Sequence, residues 1–337
     1  MPTTESLDPD VPLFARTGIN LASAGLGARG LHASNEFFAP LSRMLQDSEP
    51  VFVEGKFDDH GKWMDGWESQ RRRDGGHDWA VIALAAPGRL LGFDIDPRHF
   101  TGNFAPAARI EAASASDGLT GSERWVEVLP HKPLGPDAHH FFACSSFESW
   151  THLKLHIYPD GGVARLRVYG VPELDSAADG GPIDLVSALN GGRILAFSDA
   201  HYGDYMRLLA PGRGVNMGDG WETRRRREPG YDWMILALGA RGVIEEVLVD
   251  TAHFKGNFPD RCSMQAADMA SFGDGLTDAL VTDSMFWTTI LPECRLGPDA
   301  EHRFREALSV QGPVTHVRFN IHPDGGVSRL RLFGRPA

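Results

Sequence analysis

The chain has 337 residues, of which 42% are hydrophobic and 23% are charged. This length predicts two domains of ordinary size, and the composition is typical of folded globular proteins rather than of disordered chains. The 33 basic and 45 acidic residues give a formal net charge of −12, which argues against nucleic acid as a partner because such binding depends on cationic contacts with phosphates.

The ends of the chain and its cysteines bear on its location. The opening, MPTTESLDPDVPLFARTG, is acidic and contains prolines, without the basic and apolar regions of a signal peptide. No later stretch approaches the roughly 18 apolar residues of a membrane span, and the final LFGRPA lacks a Ser-Lys-Leu-type ending. Cys144, Cys262 and Cys294 are odd in number and lack CxxC spacing, as expected of reduced structural thiols. We therefore expect a cytoplasmic protein with no membrane partner.

The dominant feature of the sequence is an internal duplication. The segment DGWESQRRRDGGHDW at 65–79 returns without a gap as DGWETRRRREPGYDW at 219–233. Towards the end of each copy, THLKLHIYPDGGVARLRVYG at 151–170 returns as THVRFNIHPDGGVSRLRLFG at 315–334. A repeat unit of this size is far longer than the repeats of solenoids and propellers, so it predicts tandem domains.

The domain boundaries follow from the two copies and the segment between them. The predicted domains span 17–171 and 183–335. The segment PELDSAADGGP at 172–182 is rich in Gly, Pro and small polar residues, which is typical of a linker.

Taken in chain order, the segments of each copy mainly predict strands. INLAS and IDLVS open the copies, and SNEFFAPLSRMLQ and SDAHYGDYMRLLA follow as short helices or irregular excursions. The later segments are short, often alternating and bounded by turn residues: WAVIALAA, LLGFDID, HLKLHIY and VARLRVY in the first copy, and WMILALG, VIEEVLVD, HVRFNIH and VSRLRLF in the second. YPDGGV and HPDGGV fit tight hairpins because their glycines supply positive φ angles. The economical architecture is an all-β antiparallel sandwich or jelly roll.

The densest polar cluster of each copy is the D-G-W-E box with its arginine run. It comprises Asp65, Glu68, Arg71, Arg72 and Arg73, and in the second copy Asp219, Glu222 and Arg224 to Arg227. Alternation along a strand would send neighbouring arginines to opposite faces, and inward-pointing guanidinium groups bind carboxylates bidentately. An anionic substrate is therefore one interpretation, and a solvated, salt-bridged loop is the other.

The second cluster is D-x-x-H-F-x-G-N-F, which contains Asp96, His99 and Asn103 and, in the second copy, Asp250, His253 and Asn257. A histidine can act as general acid or base, a carboxylate can fix its tautomer, and an asparagine amide can bind a ureido group. Alternatively, both histidines are structural residues that bond backbone groups. Asp and His also bind divalent metals, but without an HExxH motif or a dense His/Asp set we assign no metal ligand.

Together, the arginine box, the H-F-x-G-N-F box, the LGPD segments at 134–142 and 296–304 and the T-H-x-[KR] segments resemble the allantoicase family. The resemblance spans both repeats, from about 17 to 335. It implies two tandem jelly-roll, galactose-binding-like β-sandwich domains, and hydrolysis of allantoate to ureidoglycolate and urea in purine catabolism. The proline after Asn-Phe shifts by one position between HFTGNFAP and HFKGNFP, and we expect this to leave the chemistry unchanged.

The predicted site residues suit allantoate, which carries one carboxylate and two ureido groups on a single carbon. Arginines of the two runs bind the carboxylate: Arg71 or Arg73, and Arg225 or Arg227. Proton transfer belongs to Glu68 and Glu222, or to the pairs Asp96/His99 and Asp250/His253, while Asn103 and Asn257 orient a ureido group. Which repeat contributes which group stays open.

The sequence also bears on the cofactor, the oligomeric state and an alternative function. A divalent metal such as Mn²⁺ stays open as a cofactor. The family resemblance alone implies a homo-oligomer, a trimer or a hexamer. The alternative function is a tandem sandwich that binds small molecules or carbohydrates without catalysis, because a fold of this kind does not fix its function. Against that alternative, the sequence shows no secretion signal and no attached catalytic domain.

Overall fold

The computed structural model describes residues 11–115, 118–144, 146–174, 180–270, 278–309 and 312–337. These residues form two compact units that divide between Glu173 and Leu174. Residues 175–179 of the predicted linker and residues 1–10 of the opening segment lie outside the described residues. Each unit is described by itself.

The first unit contains one short helix, twelve strands and two 3₁₀ turns among its described residues. The helix is α1 (Leu13–Thr17). The strands are β1 (Ile19–Asn20), β2 (Arg29–Ala33), β3 (Phe57–Asp58), β4 (Gly61–Lys62), β5 (Trp67–Glu68), β6 (Asp78–Asp96), β7 (Ala107–Ala113), β8 (Val126–Pro133), β9 (His140–Ala143), β10 (Ser149–Tyr158), β11 (Gly162–Val163) and β12 (Arg165–Pro172). The 3₁₀ turns are Ala24–Leu26 and Leu41–Leu45.

Strand β6 organises the first unit because it belongs to both layers of the sandwich. Its first half pairs with β2 and β10, and its second half pairs with β12 and β9, all antiparallel. The main strand order is β1-β12-β6-β10-β7-β8. The sequence segments WAVIALAA and LLGFDID are therefore parts of one strand. Its inward side chains, such as Ile82, Phe93 and Ile95, are fully buried in the core between the layers.

The second unit repeats this topology. Its strands are β13 (Ile183–Asp184), β14 (Arg193–Phe197), β15 (Trp221–Glu222), β16 (Asp232–Asp250), β17 (Arg261–Ala267), β18 (Thr288–Arg295), β19 (Glu301–Phe304), β20 (Val314–His322), β21 (Gly326–Val327) and β22 (Arg329–Pro336). The helix α2 spans Asp278–Asp283, and 3₁₀ turns span Ala188–Asn190, Tyr205–Leu209 and Ser284–Phe286. The strand order is β13-β22-β16-β20-β17-β18, with β14 and β19 also paired to β16.

The structure confirms the predicted all-β, antiparallel sandwich architecture. The segments predicted as short helices or excursions contain the 3₁₀ turns Leu41–Leu45 and Tyr205–Leu209. The predicted hairpin at YPDGGV is wrong, because β10 pairs with β6 and β7 whereas β11 pairs with β5. The same holds at HPDGGV, where β21 pairs with β15. The turn thus carries the chain out of the large sheet to a separate two-stranded ladder.

Two other expectations have a structural outcome. Within the described part of the chain, no helix is long and apolar enough to cross a membrane. Cys144, Cys262 and Cys294 are all free thiols. Burial raises the pKa of the Cys262 thiol well above its ordinary value, as expected of an unreactive structural cysteine.

Candidate functional site

Three segments of the first unit meet beside the short strand β5. Glu68 ends β5, and its neighbour on β11 is Gly162. The loop after β6 carries Asn103, whose backbone carbonyl accepts a hydrogen bond from the Gly162 N–H at 2.8 Å. The arginine run follows β5 directly. The two-stranded ladder β5–β11 therefore brings together residues that lie far apart in the sequence.

Glu68 is the central titratable group of this region. It is only 7% exposed, and its Oε1 accepts a hydrogen bond from Asn103 Nδ2 at 2.7 Å. Burial raises the pKa of the Glu68 carboxyl, the Asn103 hydrogen bond partly opposes that effect, and the charge of Asp58 adds to it. A buried carboxyl group with a raised pKa is suited to general acid catalysis.

Neighbouring arginines of the run point in opposite directions, as strand alternation predicts, although Ser69–His77 is not a strand. Arg72 turns back into the protein, where its guanidinium group contacts Asp74, the His77 carbonyl and the buried Asp78 at 2.8–3.0 Å. Arg71 and Arg73 are exposed. Neither forms an ion pair with a side chain in the described ranges. Their charges are therefore available to an anion.

A cleft of about 500 Å³ opens at this point. Its walls include Glu68, Arg71 and Asn103, together with Phe38 and Asp160. Three of the predicted site residues of the first repeat therefore line one cavity, and Arg73 is not among its lining residues. The volume lies within the usual range for small-molecule sites.

Asp96 and His99 lie outside this cleft's lining and do not form the expected carboxylate–imidazole pair. The Asp96 carboxylate instead accepts hydrogen bonds from Arg98 Nε at 3.0 Å and Nη2 at 2.7 Å. Burial alone would raise the pKa of Asp96, but the contacts with Arg98 outweigh burial and lower this pKa. His99 adopts a left-handed conformation with φ of 68°, and its Nε2 donates to the Pro50 carbonyl at 3.0 Å. Both residues fix the surrounding loops.

The second unit repeats the Glu–Asn contact. Asn257 Nδ2 donates to Glu222 Oε1. Glu222 is half-buried, and Tyr202 pairs with it where Ala39 pairs with Glu68. A smaller cleft of about 280 Å³ is lined by Arg225 and Arg227 together with neighbouring residues of the run.

Asp250 and His253 repeat the loop-fixing contacts of their counterparts. Asp250 accepts from Arg213 Nε at 3.1 Å and from the Ala252 N–H at 2.8 Å. His253 has φ of 70°, and its Nε2 donates to the Gly214 carbonyl at 2.8 Å. As in the first unit, the expected carboxylate–imidazole pair is replaced by contacts to other groups.

One group of side chains has the spacing of possible metal ligands. Among the residues that the structure describes, Glu49, Asp96 and His139 have donor atoms within 4.8 Å of one another. Both carboxylates are already paired with arginines, since Arg98 contacts each of them and Arg167 Nη2 lies 2.7 Å from Glu49. A metal ion would have to compete with two guanidinium groups, so these residues do not fit one.

Two features that bear on the site were missed by sequence reasoning. The first is the β3–β4 hairpin, which carries Asp58, a charge that raises the pKa of Glu68. The corresponding segment of the second copy is shorter, and that difference in length was the available signal. The second is Asp160, which was interpreted only as a turn residue. Its signal was the presence of the same Pro-Asp-Gly-Gly sequence in both copies.

Comparison with known proteins places the chain in a family. The family model for the allantoicase repeat matches residues 19–173 and again residues 183–337. The chain belongs to the allantoicase family. It is 58% identical to a "Probable allantoicase" of Rhizobium meliloti, covering 97% of this chain and 96% of that protein. It is 54% identical to "Probable allantoicase 1" of Burkholderia mallei, covering 97% of each chain.

A solved structure agrees with the sequence relatives. The crystal structure of allantoicase from Saccharomyces cerevisiae matches with a TM-score of 0.78 and 34% identity, covering 94% of this chain and 93% of that one. The predicted family membership, and with it the prediction of a hydrolase, is confirmed. The alternative of a binding module without catalysis is not favoured.

Proposed function

We propose that the chain hydrolyses allantoate to ureidoglycolate and urea, and that the reaction takes place in the Glu68 cleft of the first unit. Family membership supports the reaction. The observation that supports the location is that a buried carboxyl with a raised pKa, an amide and an unpaired guanidinium group line one cleft. These are the groups that a carbon–nitrogen hydrolase of an anionic substrate needs.

The substrate groups of allantoate match the lining of the cleft. The exposed guanidinium group of Arg71 binds the carboxylate through two parallel hydrogen bonds, which is the favoured geometry for this pair. The Asn103 amide donates to Glu68 through Nδ2, and its Oδ1 is left to accept an N–H of a ureido group. The carbon that bears both ureido groups is then held next to Glu68.

Glu68 transfers the proton on which the reaction depends. The protonated carboxyl gives its proton to the nitrogen of the departing ureido group as the carbon–nitrogen bond breaks, and urea leaves with the bonding electron pair. The lone pair of the remaining ureido nitrogen forms a double bond to the same carbon. A water molecule adds to that carbon and returns a proton to Glu68, which regenerates the acid. Water and allantoate are thereby converted to ureidoglycolate and urea.

The remaining predicted residues take other roles in this proposal. The contacts of Asp96, His99, Asp250 and His253 support loop-fixing roles rather than proton transfer. Glu222, Asn257, Arg225 and Arg227 form the corresponding region of the second unit. The larger cleft and the buried carboxyl favour the first unit as the catalytic one.

The test is a matched pair of variants, Glu68→Gln and Glu222→Gln, assayed for urea and ureidoglycolate release. Each substitution keeps the side-chain size and its contact with asparagine but removes the acid. We expect E68Q to lower kcat by about 10²–10⁴-fold, the usual contribution of a general acid, and E222Q to stay within a few-fold of wild type. Wild-type turnover by E68Q, or equal losses in both variants, would contradict the assignment to the first unit.

Location and assembly extend the proposal. The three free thiols support a reducing compartment such as the cytoplasm. Family membership supports a homo-oligomer, for which the trimer and the hexamer are the two expected states. Light scattering during size-exclusion chromatography separates these two from each other and from a monomer.

A further inference from the structure

The Pro159–Gly162 turn connects the backbone segments that carry Glu68 and Asn103. The Gly161 carbonyl accepts a hydrogen bond from the Ser69 N–H at 3.1 Å, next to Glu68. Gly162 pairs with Glu68 across the β5–β11 ladder and donates its N–H to the Asn103 carbonyl. The turn therefore fixes the strand of Glu68 and the loop of Asn103 relative to each other.

Asp160 is the polar side chain of this turn, and its two oxygens face different surroundings. Oδ2 accepts a hydrogen bond from the Arg72 backbone N–H at 2.8 Å, which holds the carboxylate beside the arginine run. Asp160 also lines the cleft with Glu68, Arg71 and Asn103. Within the described ranges Oδ1 has no hydrogen-bond partner in the protein. One oxygen is thus fixed, and the other is available to a ligand.

The hydrogen-bonding needs of the proposed substrate single out this oxygen. Each ureido group carries one N–H and one NH₂, so the two ureido groups are rich in donors and need acceptors. In the cleft, Glu68 Oε1 is occupied by Asn103, and the rest of that carboxyl is used for proton transfer. Asp160 Oδ1 and Asn103 Oδ1 are the side-chain acceptors that remain on the named walls.

We propose that Asp160 is a substrate-binding residue that accepts a hydrogen bond from the terminal NH₂ of a ureido group and thereby selects for ureido substrates. This inference rests on the proposed function of the cleft. A carboxylate acceptor forms a stronger hydrogen bond than a neutral one, and a fixed carboxylate loses little conformational freedom on binding. Ligands that lack this terminal NH₂ leave the carboxylate desolvated and unpaired, so they are rejected.

Asp324 of the second unit is the matched control for Asp160. Asp324 occupies the corresponding turn of the second unit, and its Oδ2 accepts a hydrogen bond from the Arg226 backbone N–H at 2.8 Å. Asp324→Asn and Asp160→Asn therefore disturb equivalent backbone contacts. Because an asparagine can keep its oxygen on the backbone N–H, D160N places an NH₂ donor where the substrate needs an acceptor.

The experiment measures KM, kcat and thermal unfolding for D160N, Asp160→Ala and D324N. We expect D160N to raise KM roughly 10- to 100-fold with a much smaller change in kcat, and D324N to leave both constants near wild type. A D160N enzyme with wild-type KM would show that Asp160 only anchors the arginine run, even if D160A loses activity. Equal KM changes in D160N and D324N would assign the effect to the fold and would also overturn the proposal.

Binding of non-reactive ligands provides a readout that does not depend on turnover. Hydantoate carries a carboxylate and one ureido group, whereas N-acetylglycine has a methyl group in place of the terminal NH₂. We expect wild type to bind hydantoate more tightly, and D160N to lose most of that preference. An unchanged preference in D160N would overturn the inference. If E68Q turns over allantoate like wild type, the proposed function fails; if E68Q is impaired and D160N keeps its preference, only the role of Asp160 fails.

Discussion

Asn103 Nδ2 lies 2.7 Å from Oε1 of the buried Glu68, and this single contact opposes the effect of burial on the acid. Burial raises the pKa of Glu68, whereas a donor aimed at the carboxylate favours the charged form and lowers it. The balance between the two sets the pH range over which Glu68 keeps its proton. In the proposed mechanism, Asn103 therefore affects proton transfer as well as substrate orientation.

Removal of this donor predicts a measurable shift in pH dependence. In Asn103→Ala the pKa of Glu68 rises further, because burial and the charge of Asp58 are no longer opposed. The activity that requires protonated Glu68 then persists to higher pH, so the high-pH limb of the kcat/KM profile shifts to higher pH. The plateau value of kcat/KM falls. Asn257→Ala in the second unit is the control and is expected to leave the limb in place. A downward shift in N103A would show that Glu68 does not act as the acid.

Glu68 also predicts a stability effect that depends on pH. Because its pKa is higher in the folded than in the unfolded chain, the folded state binds more protons and loses stability as pH rises above the ordinary glutamate value of 4.5. E68Q removes this penalty, so it should unfold at a higher temperature than wild type at pH 8 and gain less at pH 4. Thermal unfolding at both pH values checks this, and a gain that is larger at pH 4 would contradict it.

The two arginines flanking Arg72 should differ in their effect on substrate binding. Arg71 lines the cleft and Arg73 does not, although both are exposed. Arg71→Ala is expected to raise KM roughly 10- to 100-fold, and Arg73→Ala to change it less than threefold. Arg71→Lys keeps the charge but loses the two-pronged geometry, so its KM should fall between those of R71A and wild type. Equal effects of R71A and R73A would point to general electrostatic attraction instead.

Sequence reasoning anticipated the repeat, the strands and the residue types of the site, because each depends on local pattern. Three of the side chains that line the cleft, Glu68, Arg71 and Asn103, were among the candidates. The pairing of charges could not be anticipated in the same way. The arginine box suggested partners within the run, whereas Asp65 pairs with Arg165, 100 residues further along the chain. Such a pairing depends on tertiary contacts between distant segments, which local sequence does not specify.

The Asp96–His99 expectation shows a second limit. Spacing of three residues is compatible with a carboxylate–imidazole pair, but His99 adopts a positive φ and Arg98 lies between them. The His99 ring contacts the Pro50 carbonyl, and Arg98 instead of His99 forms the hydrogen bonds to the Asp96 carboxylate. A positive φ is uncommon in non-glycine residues, so the spacing of Asp96 and His99 did not predict this backbone conformation.

The buried Asp65–Arg165 pair predicts a large loss of stability on truncation. Arg165 is fully buried, and its Nη2 lies 2.8 Å from Asp65 Oδ2. Asp65→Ala leaves that guanidinium group without a counter-charge, a change that typically costs about 3–5 kcal/mol. Scanning calorimetry should show that D65A unfolds at a lower temperature than wild type. Asp74→Ala, which removes an exposed partner of Arg72, should leave the transition near wild type. Similar melting of D65A and wild type would contradict the prediction.

The final prediction concerns Gly162, through which β11 holds Glu68 in place. A Cβ at this position would lie 2.0 Å from Phe100 Cε1, and Phe100 is fully buried, so the strand or the ring must shift. Gly162→Ala should therefore destabilise the first unit by about 1–3 kcal/mol and also lower kcat/KM, because Glu68 moves with the ladder.

Gly326→Ala is the twin of this variant, since its Cβ would meet Phe254 at 2.1 Å in the second unit. It should destabilise the protein to a similar degree but leave kcat/KM near wild type at temperatures where both units are folded. Gly256→Ala enters open space and serves as the neutral control. Thermal unfolding and steady-state kinetics on the three variants separate the effects. Greater loss of kcat/KM in G326A than in G162A would move catalysis to the second unit.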